Sequence, residues 1–388
     1  MKKIGILTSS YADNGTYGCN YGAALQGYAL VRTLRTMGYD AYDINYNSSY
    51  VYNPNQYGKI KRFLLRLTKI FNINIVKGKI RSIQNKDNIS MLRSKFSTFV
   101  INNGLTYENG KFYTFEELNR ISETFYAFIT GSDVVWNPYL HKNLNDKGFF
   151  LDFAKEGVKR IAYAPSTGVT VFPDTAKRDL KDLLLKFDAL SVREQSGANL
   201  IKDLTGIDVQ VVIDPTMLLD STMYDDIIEM PTDVSGDYIL IYKFGNIKHT
   251  EETIKEIKRK LGLPVIYIPA GLYEKGASPR YDIGPNEFVG LIKNARIVLT
   301  DSFHCTVFCL LYHTPFYTFY RSLPGNGRDL NSRMINLLEM VELKDRLVLP
   351  NTTIDFLNID SIDFENCDKL LEKFRFSAVN YLKEALNG

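Results

Sequence analysis

Along this chain, short apolar runs alternate with longer stretches in which apolar side chains recur at helical spacing. Residues 3–8 (KIGILT), 39–45 (YDAYDIN), 124–130 (TFYAFIT), 160–164 (RIAYA), 189–193 (ALSVR) and 210–213 read as strands, short and bounded by Gly, Pro, Asn, Asp or Ser. Ala23, Gly27, Leu30, Leu34 and Met37 mark one face of a helix that stops at Gly38. Residues 194–204 repeat that pattern. A linker of mixed character at 218–237 follows, and then the alternation restarts. Strands are predicted at 238–242, 264–269, 296–300 and 316–319, with helices at 249–261, from Gly284 onward, at 331–340 and at 366–386. Strand–helix alternation of this kind builds parallel sheets covered on both faces. The expected fold is therefore α/β, with two Rossmann-like doubly wound domains, residues 1–217 and 218–388, facing a cleft. The C-terminal helix is expected to pack back on the first domain.

One stretch concentrates the chemistry. In RIVLTDSFHCTVFCLLYHTP (296–315) a β-rich run ends at Thr300, Asp301 and Ser302 are helix N-cap types, and an apolar helix follows. His304 falls in its first turn. Ligands of open α/β sheets sit outside the carboxyl ends of strands, where a helix N-terminus offers free N–H groups to an anion. A histidine there can hold a phosphate or move a proton. It can equally satisfy a backbone group while Asp301 caps the helix.

Composition narrows the class. With 45% hydrophobic and 23% charged residues over 388 positions, the chain reads as a soluble globular protein with ample core. Its four cysteines have no metal-site spacing and no small-disulfide framework, which fits a reducing cytoplasm. No apolar run reaches the roughly 18 residues of a membrane span. Charge is uneven: residues 59–95 hold eleven Lys/Arg against one acid, Asp87, although the whole chain carries only +3. Residues 59–102 therefore read as a basic helical insertion, and 59–81 can lie on an anionic membrane surface or pack as an ordinary amphipathic helix. The segment lacks the interleaved aromatics of a nucleic-acid platform, so no nucleic-acid partner is expected. The opening β-loop-α-β unit lacks GxGxxG, and no dinucleotide cofactor is implied. No metal constellation is visible.

Seven motifs come in order: NYGAALQGYAL (20–30), GSDVVWNP (131–138), IAYAPSTG (161–168), SVRE (191–194), VVIDPTMLL (211–219), GPNEFVGLIKNARIVLTDSFHCTVFCLLYHTPF (284–316) and NSRMINLL (331–338). Together they resemble the polysaccharide pyruvyl transferase family over nearly the whole chain. That resemblance implies a GT-B-like architecture and no cofactor. It implies phosphoenolpyruvate as donor and a sugar of a bacterial capsule, exopolysaccharide or wall polymer as acceptor, commonly lipid-linked. The product would be a cyclic ketal formed on two hydroxyls. The enzyme would work in the cytoplasm, at the inner face of the membrane. In several members an arginine-apolar-histidine triplet serves the donor. Here the triplet is Ser302-Phe303-His304, so the histidine stands and the arginine does not. Arg193, in SVRE, matches another donor-binding arginine, and Arg328 or Arg333 is a candidate for the missing charge.

The first domain is expected to take the acceptor and the second the donor. His304 is assigned to donor binding and acid duty, and Asp133 to deprotonating a sugar hydroxyl, with helix capping as its alternative. Asp13, Asn14 and Asn20 are candidates for acceptor hydroxyls. Trp136 is a candidate stacking surface for a sugar face, with a place in the core as its alternative. A nucleotide-sugar-dependent GT-B glycosyltransferase is the competing reading. A non-catalytic sugar-binding protein is a third, kept open by the serine at 302.

Overall fold

A computed structural model describes residues 1–9, 19–47, 86–138, 146–245, 248–270, 278–321, 331–349 and 359–388. The first sheet contains Lys3–Leu7 (β1), Asp40–Asp43 (β2), Ala127–Thr130 (β3), Lys159–Ala162 (β4), Ala189–Val192 (β5) and Gln210–Val211 (β6). All pairs are parallel, in the order β2-β1-β3-β4-β5-β6. The second contains Ile239–Lys243 (β7), Val265–Pro269 (β8), Ile297–Thr300 (β9), Phe316–Phe319 (β10) and Leu347–Val348 (β11), again all parallel, in the order β8-β7-β9-β10-β11. Each order reverses beside the unit's first strand, so each sheet has one switch point, at β1/β3 and at β7/β9. The central strands β3, β7, β9 and β10 are buried along their whole length. That is why they read as apolar runs without alternation.

Two Rossmann-like units side by side is the GT-B-like arrangement expected. The predicted strands are all present within a few residues. The pair β10–β11 extends the second sheet beyond expectation, because two residues of Leu347–Val348 carry too little pattern to be seen. A small parallel pair, Asn45–Tyr46 with Phe112–Tyr113, was also not anticipated. Residues 59–81, and with them the membrane-contact expectation, lie outside the described residues. No described helix is long and apolar enough to cross a membrane.

The units are joined by packing as well as by the chain. Tyr21–Thr36 (α1) lies on the first sheet and is buried from Tyr21 to Val31. A helix buried all round must have partners on every side. Tyr21 stacks on Phe288 of Pro285–Lys293 (α3), 4.3 Å between centroids, meets Tyr242 of β7 edge-on, and donates its hydroxyl to the Ile283 carbonyl at 2.8 Å. Lys86–Asn102 (α2), the described part of the basic insertion, buries Phe96 and Phe99 against Tyr21 and Tyr28. One apolar cluster thus contains Leu25 and Ile129 from the first unit and Leu240, Leu291 and Phe308 from the second.

The last helix, Phe364–Asn387 (α6), belongs to both units. Near its start Cys367 faces the Val341 carbonyl. Further along, Arg375 donates from Nε to the Met217 carbonyl at 2.9 Å, and Tyr381 donates to the Ala162 carbonyl of β4 at 2.8 Å. Leu382 is fully buried in the shared cluster. Leu382→Ala is expected to lower the unfolding free energy by about 2–5 kcal/mol, the range for a buried Leu truncated in a core that relaxes only partly. Urea titration checks this; a loss below roughly 1 kcal/mol would mean that this end of the helix is only loosely seated.

Candidate active site

The two switch points are built in parallel ways. At β1/β3, Thr8 donates its hydroxyl to the Ser132 carbonyl at 2.7 Å and accepts from Gln26 Nε2 of α1 at 2.9 Å. Gly131 lies so close that a Cβ there would sit 2.8 Å from the Thr8 Cβ. At β7/β9, the Asp301 carboxylate accepts from the Phe244 and Gly245 amides at 2.8 and 2.6 Å. Asp301 therefore ties two strand ends together. The cap of Phe303–Leu311 (α4) is Ser302, whose Oγ accepts from the Cys305 amide at 3.4 Å. Ser302 is buried.

His304 occupies the second position of α4 and turns toward the first unit. Its ring lies against Gly22 in the first turn of α1, where a Cβ would fall 2.0 Å from Nδ1. No other residue type fits that contact without moving the imidazole. Its Nε2 sits 3.6 Å from Asp214 Oδ2, beyond hydrogen-bond range, and has no hydrogen-bond partner among the described residues. The Phe303 ring stands perpendicular to the imidazole, and the Arg193 guanidinium lies 5.3 Å from the centre of that same Phe303 ring.

Asp214, in the turn after β6, is fully buried. Its Oδ2 accepts from Arg193 Nη1 at 2.8 Å and Ser132 Oγ at 2.9 Å, and its Oδ1 accepts from the Thr216 amide and hydroxyl at 3.1 and 2.8 Å. Burial alone would raise its pKa. The nearby His304 and Arg193 side chains and the hydrogen bond from the Thr216 amide overcome that and hold the carboxyl well below the usual range. Arg193 is held charged in the same way: burial opposes it, while Asp214, Glu194 and Asp133 outweigh burial. Arg193 Nη1 is engaged, but Nε and Nη2 are buried with no hydrogen-bond partner. Glu194 Oε1 accepts from Ser166 Oγ, while Oε2 is unpartnered, 3.7 Å from Arg193 Nε.

Around this pair stand further charges. Asp133, at the end of β3, has a left-handed backbone with φ of 73°, unusual outside glycine and typical of strained functional turns. Its carbonyl accepts from the Val135 and Ser166 amides, fixing the turn, and its carboxylate faces Arg333 Nη1 at 3.9 Å. Arg333 lies in Ser332–Met340 (α5). Burial, with Arg193 beside it and Arg321 further off, pushes its pKa down to about 10 against the pull of Asp133 and Glu194. Arg321 lies over the Phe244 ring and donates to the Asp301 carbonyl at 3.3 Å. Three arginines and a histidine thus converge where both switch points meet, among the carboxylates of Asp214, Glu194, Asp133 and Asp301, and the N–H groups of Arg193 left unfilled there can take an anion.

Of the residues singled out in the sequence, Arg193, Asp133, Arg333 and His304 are brought into one charged group, and Ser302 lies at its edge as a helix cap. Asn20 caps α1, accepting from the Ala23 amide at 3.3 Å, and is exposed. Trp136 does not offer a stacking face: it is buried, parallel to Phe150 at 5.5 Å, with its indole N–H donating to the Phe149 carbonyl at 3.0 Å. The apolar ring fills the second core beneath β4, so the core alternative is correct. Asp13, Asn14 and Arg328 lie outside the described residues. Asp214, Glu194 and Arg321 were not singled out, although each stands just past the end of a strand, the position that pointed to Asp133 and His304.

A family model described as polysaccharide pyruvyl transferase matches residues 20–322. No curated protein matches the chain. Solved structures with a similar chain path include a putative UDP-N-acetylglucosamine 2-epimerase from Listeria monocytogenes, 11% identical, TM-score 0.48, covering 97% of this chain and 91% of that one. The UDP-GlcNAc 2-epimerase of Neisseria meningitidis, bound to UDP-GlcNAc, is 9% identical with TM-score 0.47 and covers 100% and 99%. Spinosyn forosaminyltransferase SpnP is 12% identical, TM-score 0.44, covering 99% of each.

Two outcomes follow from the geometry. Gly22→Ala is expected to destabilise the protein by about 1–3 kcal/mol through overpacking against the imidazole, and to cost almost nothing in a His304→Ala background. Urea unfolding of the four variants measures this, and equal losses in both backgrounds would refute the contact. Because the carboxyl pKa of Asp214 is depressed on folding, its stabilisation is complete above the unfolded value of about 4 and declines as pH falls below it. The stability difference between wild type and Asp214→Asn should therefore be constant from pH 5 to 7 and smaller at pH 3.

Proposed function

The chain belongs to the polysaccharide pyruvyl transferase family, and on that premise we propose that it transfers pyruvate from phosphoenolpyruvate to two hydroxyls of one sugar in a bacterial surface polysaccharide. The reaction closes a cyclic ketal and releases phosphate. The acceptor is a lipid-linked intermediate, met at the inner face of the membrane.

Phosphoenolpyruvate carries a carboxylate and a phosphate on an enol unit. Transfer requires a proton on the methylene carbon, which leaves an oxocarbenium-like centre next to the phosphate-bearing oxygen. One sugar hydroxyl adds to that centre and loses its proton, phosphate departs, and a second hydroxyl closes the ring. The donor thus needs cations for its two anionic groups, a proton source, and a base on the acceptor side.

The observation that carries the reading is the unpartnered edge of Arg193. Two buried N–H donors with no hydrogen-bond partner among the described residues, Nε with Glu194 Oε2 3.7 Å away and Nη2 with none, are costly unless a ligand completes them, and a guanidinium edge matches two oxygens of a carboxylate or phosphate at once. His304 Nε2, also buried and without a hydrogen-bond partner among the described residues, belongs to the same group. Arg333, with its pKa near 10, gains from an anion what Asp133 at 3.9 Å supplies only in part. In this reading Arg193 and Arg333 hold the donor, His304 binds it and provides acid, and Asp133 takes the acceptor proton. Since Arg193 and Asp133 come from residues 1–217 and His304 and Arg333 from 218–388, the donor lies between the units.

Purified protein with phosphoenolpyruvate and a galactose-, mannose- or glucosamine-type acceptor should release phosphate and give an acid-labile mass gain on the sugar. Arg193→Ala and His304→Ala should each lower kcat/KM by at least about 100-fold, the scale of a positioned acid or charge. Consumption of a nucleotide sugar in place of phosphoenolpyruvate, with no ketal formed on any such acceptor, would refute the assignment.

A further inference from the structure

His304 is held by the first unit on two sides, and the two contacts have opposite electrical character. Nε2 points at the buried Asp214 carboxylate, 3.6 Å away. Nδ1 points at Gly22, in the opening turn of a helix of 16 residues, α1. The partial positive charge of a helix start disfavours a proton on a nitrogen lying against its first turn. A carboxylate favours the proton on the nitrogen facing it.

We propose that Asp214 is a positioning residue which, together with the first turn of α1, fixes the His304 ring in the tautomer with its proton on Nε2. The assignment concerns a residue outside the donor and acceptor contacts named above, since Asp214 is fully enclosed and touches no open space. Its Oδ2 is shared: Arg193 Nη1 takes it at 2.8 Å, and His304 Nε2 faces the same oxygen. One carboxylate therefore orients the Arg193 guanidinium and the neutral His304 ring, one from each unit. Among the described residues, Arg193 Nε, Arg193 Nη2 and His304 Nε2 have no hydrogen-bond partner, nor has Glu194 Oε2 beside them, and in this tautomer the three nitrogens are N–H donors in one place. With the proton on Nδ1 instead, the nitrogen nearest Asp214 would present a lone pair to a carboxylate, and the donor set would lose a member.

The charged groups about the ring are Asp214, from the turn after β6, and Arg193, from the end of β5, beyond the Phe303 ring. The contact from α1 is the uncharged Gly22, and Ser302 and Phe303 precede His304 on its own segment.

The test reads the ring directly. Full-length protein labelled with 15N-histidine, at alkaline pH where imidazoles are neutral, reports from its ring-nitrogen shifts which nitrogen carries the proton. The His304 signals are identified by their loss in His304→Gln. The wild type should show Nε2 protonated and Nδ1 bare, and Asp214→Asn should lower the ratio of that tautomer to the other at least fivefold. A wild-type ring protonated on Nδ1, or a ratio unchanged in Asp214→Asn, overturns the proposal. If Asp214→Asn fails to fold, the wild-type tautomer ratio is compared with that of free neutral histidine, which already favours Nε2–H, and a ratio no greater than the free one overturns the proposal. The measurement uses no substrate, so it separates from the donor assignment on which the functional meaning rests. A protein that holds Nε2–H but does not bind phosphoenolpyruvate in calorimetry supports Asp214 and sinks that assignment. If both hold, Asp214→Asn should weaken phosphoenolpyruvate binding at least tenfold in the wild-type background and less than threefold when Arg193 and His304 are already replaced.

Discussion

A carboxylate with no access to water governs this molecule. Removing an ionised group from solvent costs several kcal/mol unless charge and hydrogen bonds replace its hydration. Asp214 meets that demand with Arg193, Ser132 and Thr216, and with the imidazole of the opposite unit. These partners come from the carboxyl ends of β3 and β5, from its own turn, and from the N-terminus of α4. Satisfying one buried charge thus fixes the relative positions of several strand ends. It also explains why Gly22 and Gly131 carry no side chains, since both contacts leave no room for a Cβ.

The shared core extends that constraint from the site to the whole chain. Two-unit enzymes with separate cores open and close around their substrates. Here Tyr21 is inserted between Phe96, Phe288 and Tyr242, and the last helix is bonded to both units. Separating the units would expose a continuous apolar surface, a far larger cost than breaking a polar hinge. The charged groups are consequently held in place before any ligand arrives, which is the condition under which fixed charges act most strongly on a reacting centre. The electrostatic cost of that arrangement shows in Arg333, whose proton affinity is lowered by burial and by the other arginines.

Much of this was legible in the chain. The apolar runs of β1, β3, β7 and β9 announce buried parallel strands, and polar residues just past them announce the site, because both consequences follow from local sequence. What could not be read is which strand ends meet. Asp301 and Ser302 are both cap types, and only the position of Phe244 and Gly245 decides that Asp301 ties the strands while Ser302 caps. Trp136 follows a strand as Asp133 does, yet the turn at Asp133 sends the indole inward beneath β4. Asp214 gave no sign of its importance because its partners Ser132, Arg193 and His304 lie 82, 21 and 90 positions away.

The serine at 302 shows what the start of α4 demands of its first residue. A residue at that position starts α4 and has to cap it, and Ser302 does so through Cys305. A long cationic side chain there would leave the helix start without that oxygen. Arg333 and Arg321, carried by α5 and by the segment after β10, bring positive charge to the same group from outside the turn. The electrostatic requirement of the site is a sum over all nearby charges, falling off with distance and blind to which element supplies each one. The geometric requirement is stricter, and it falls on His304, whose ring position is set by Gly22 on one side and Asp214 on the other. His304 is therefore held to one place by shape, whereas positive charge reaches the group from two elements outside its turn.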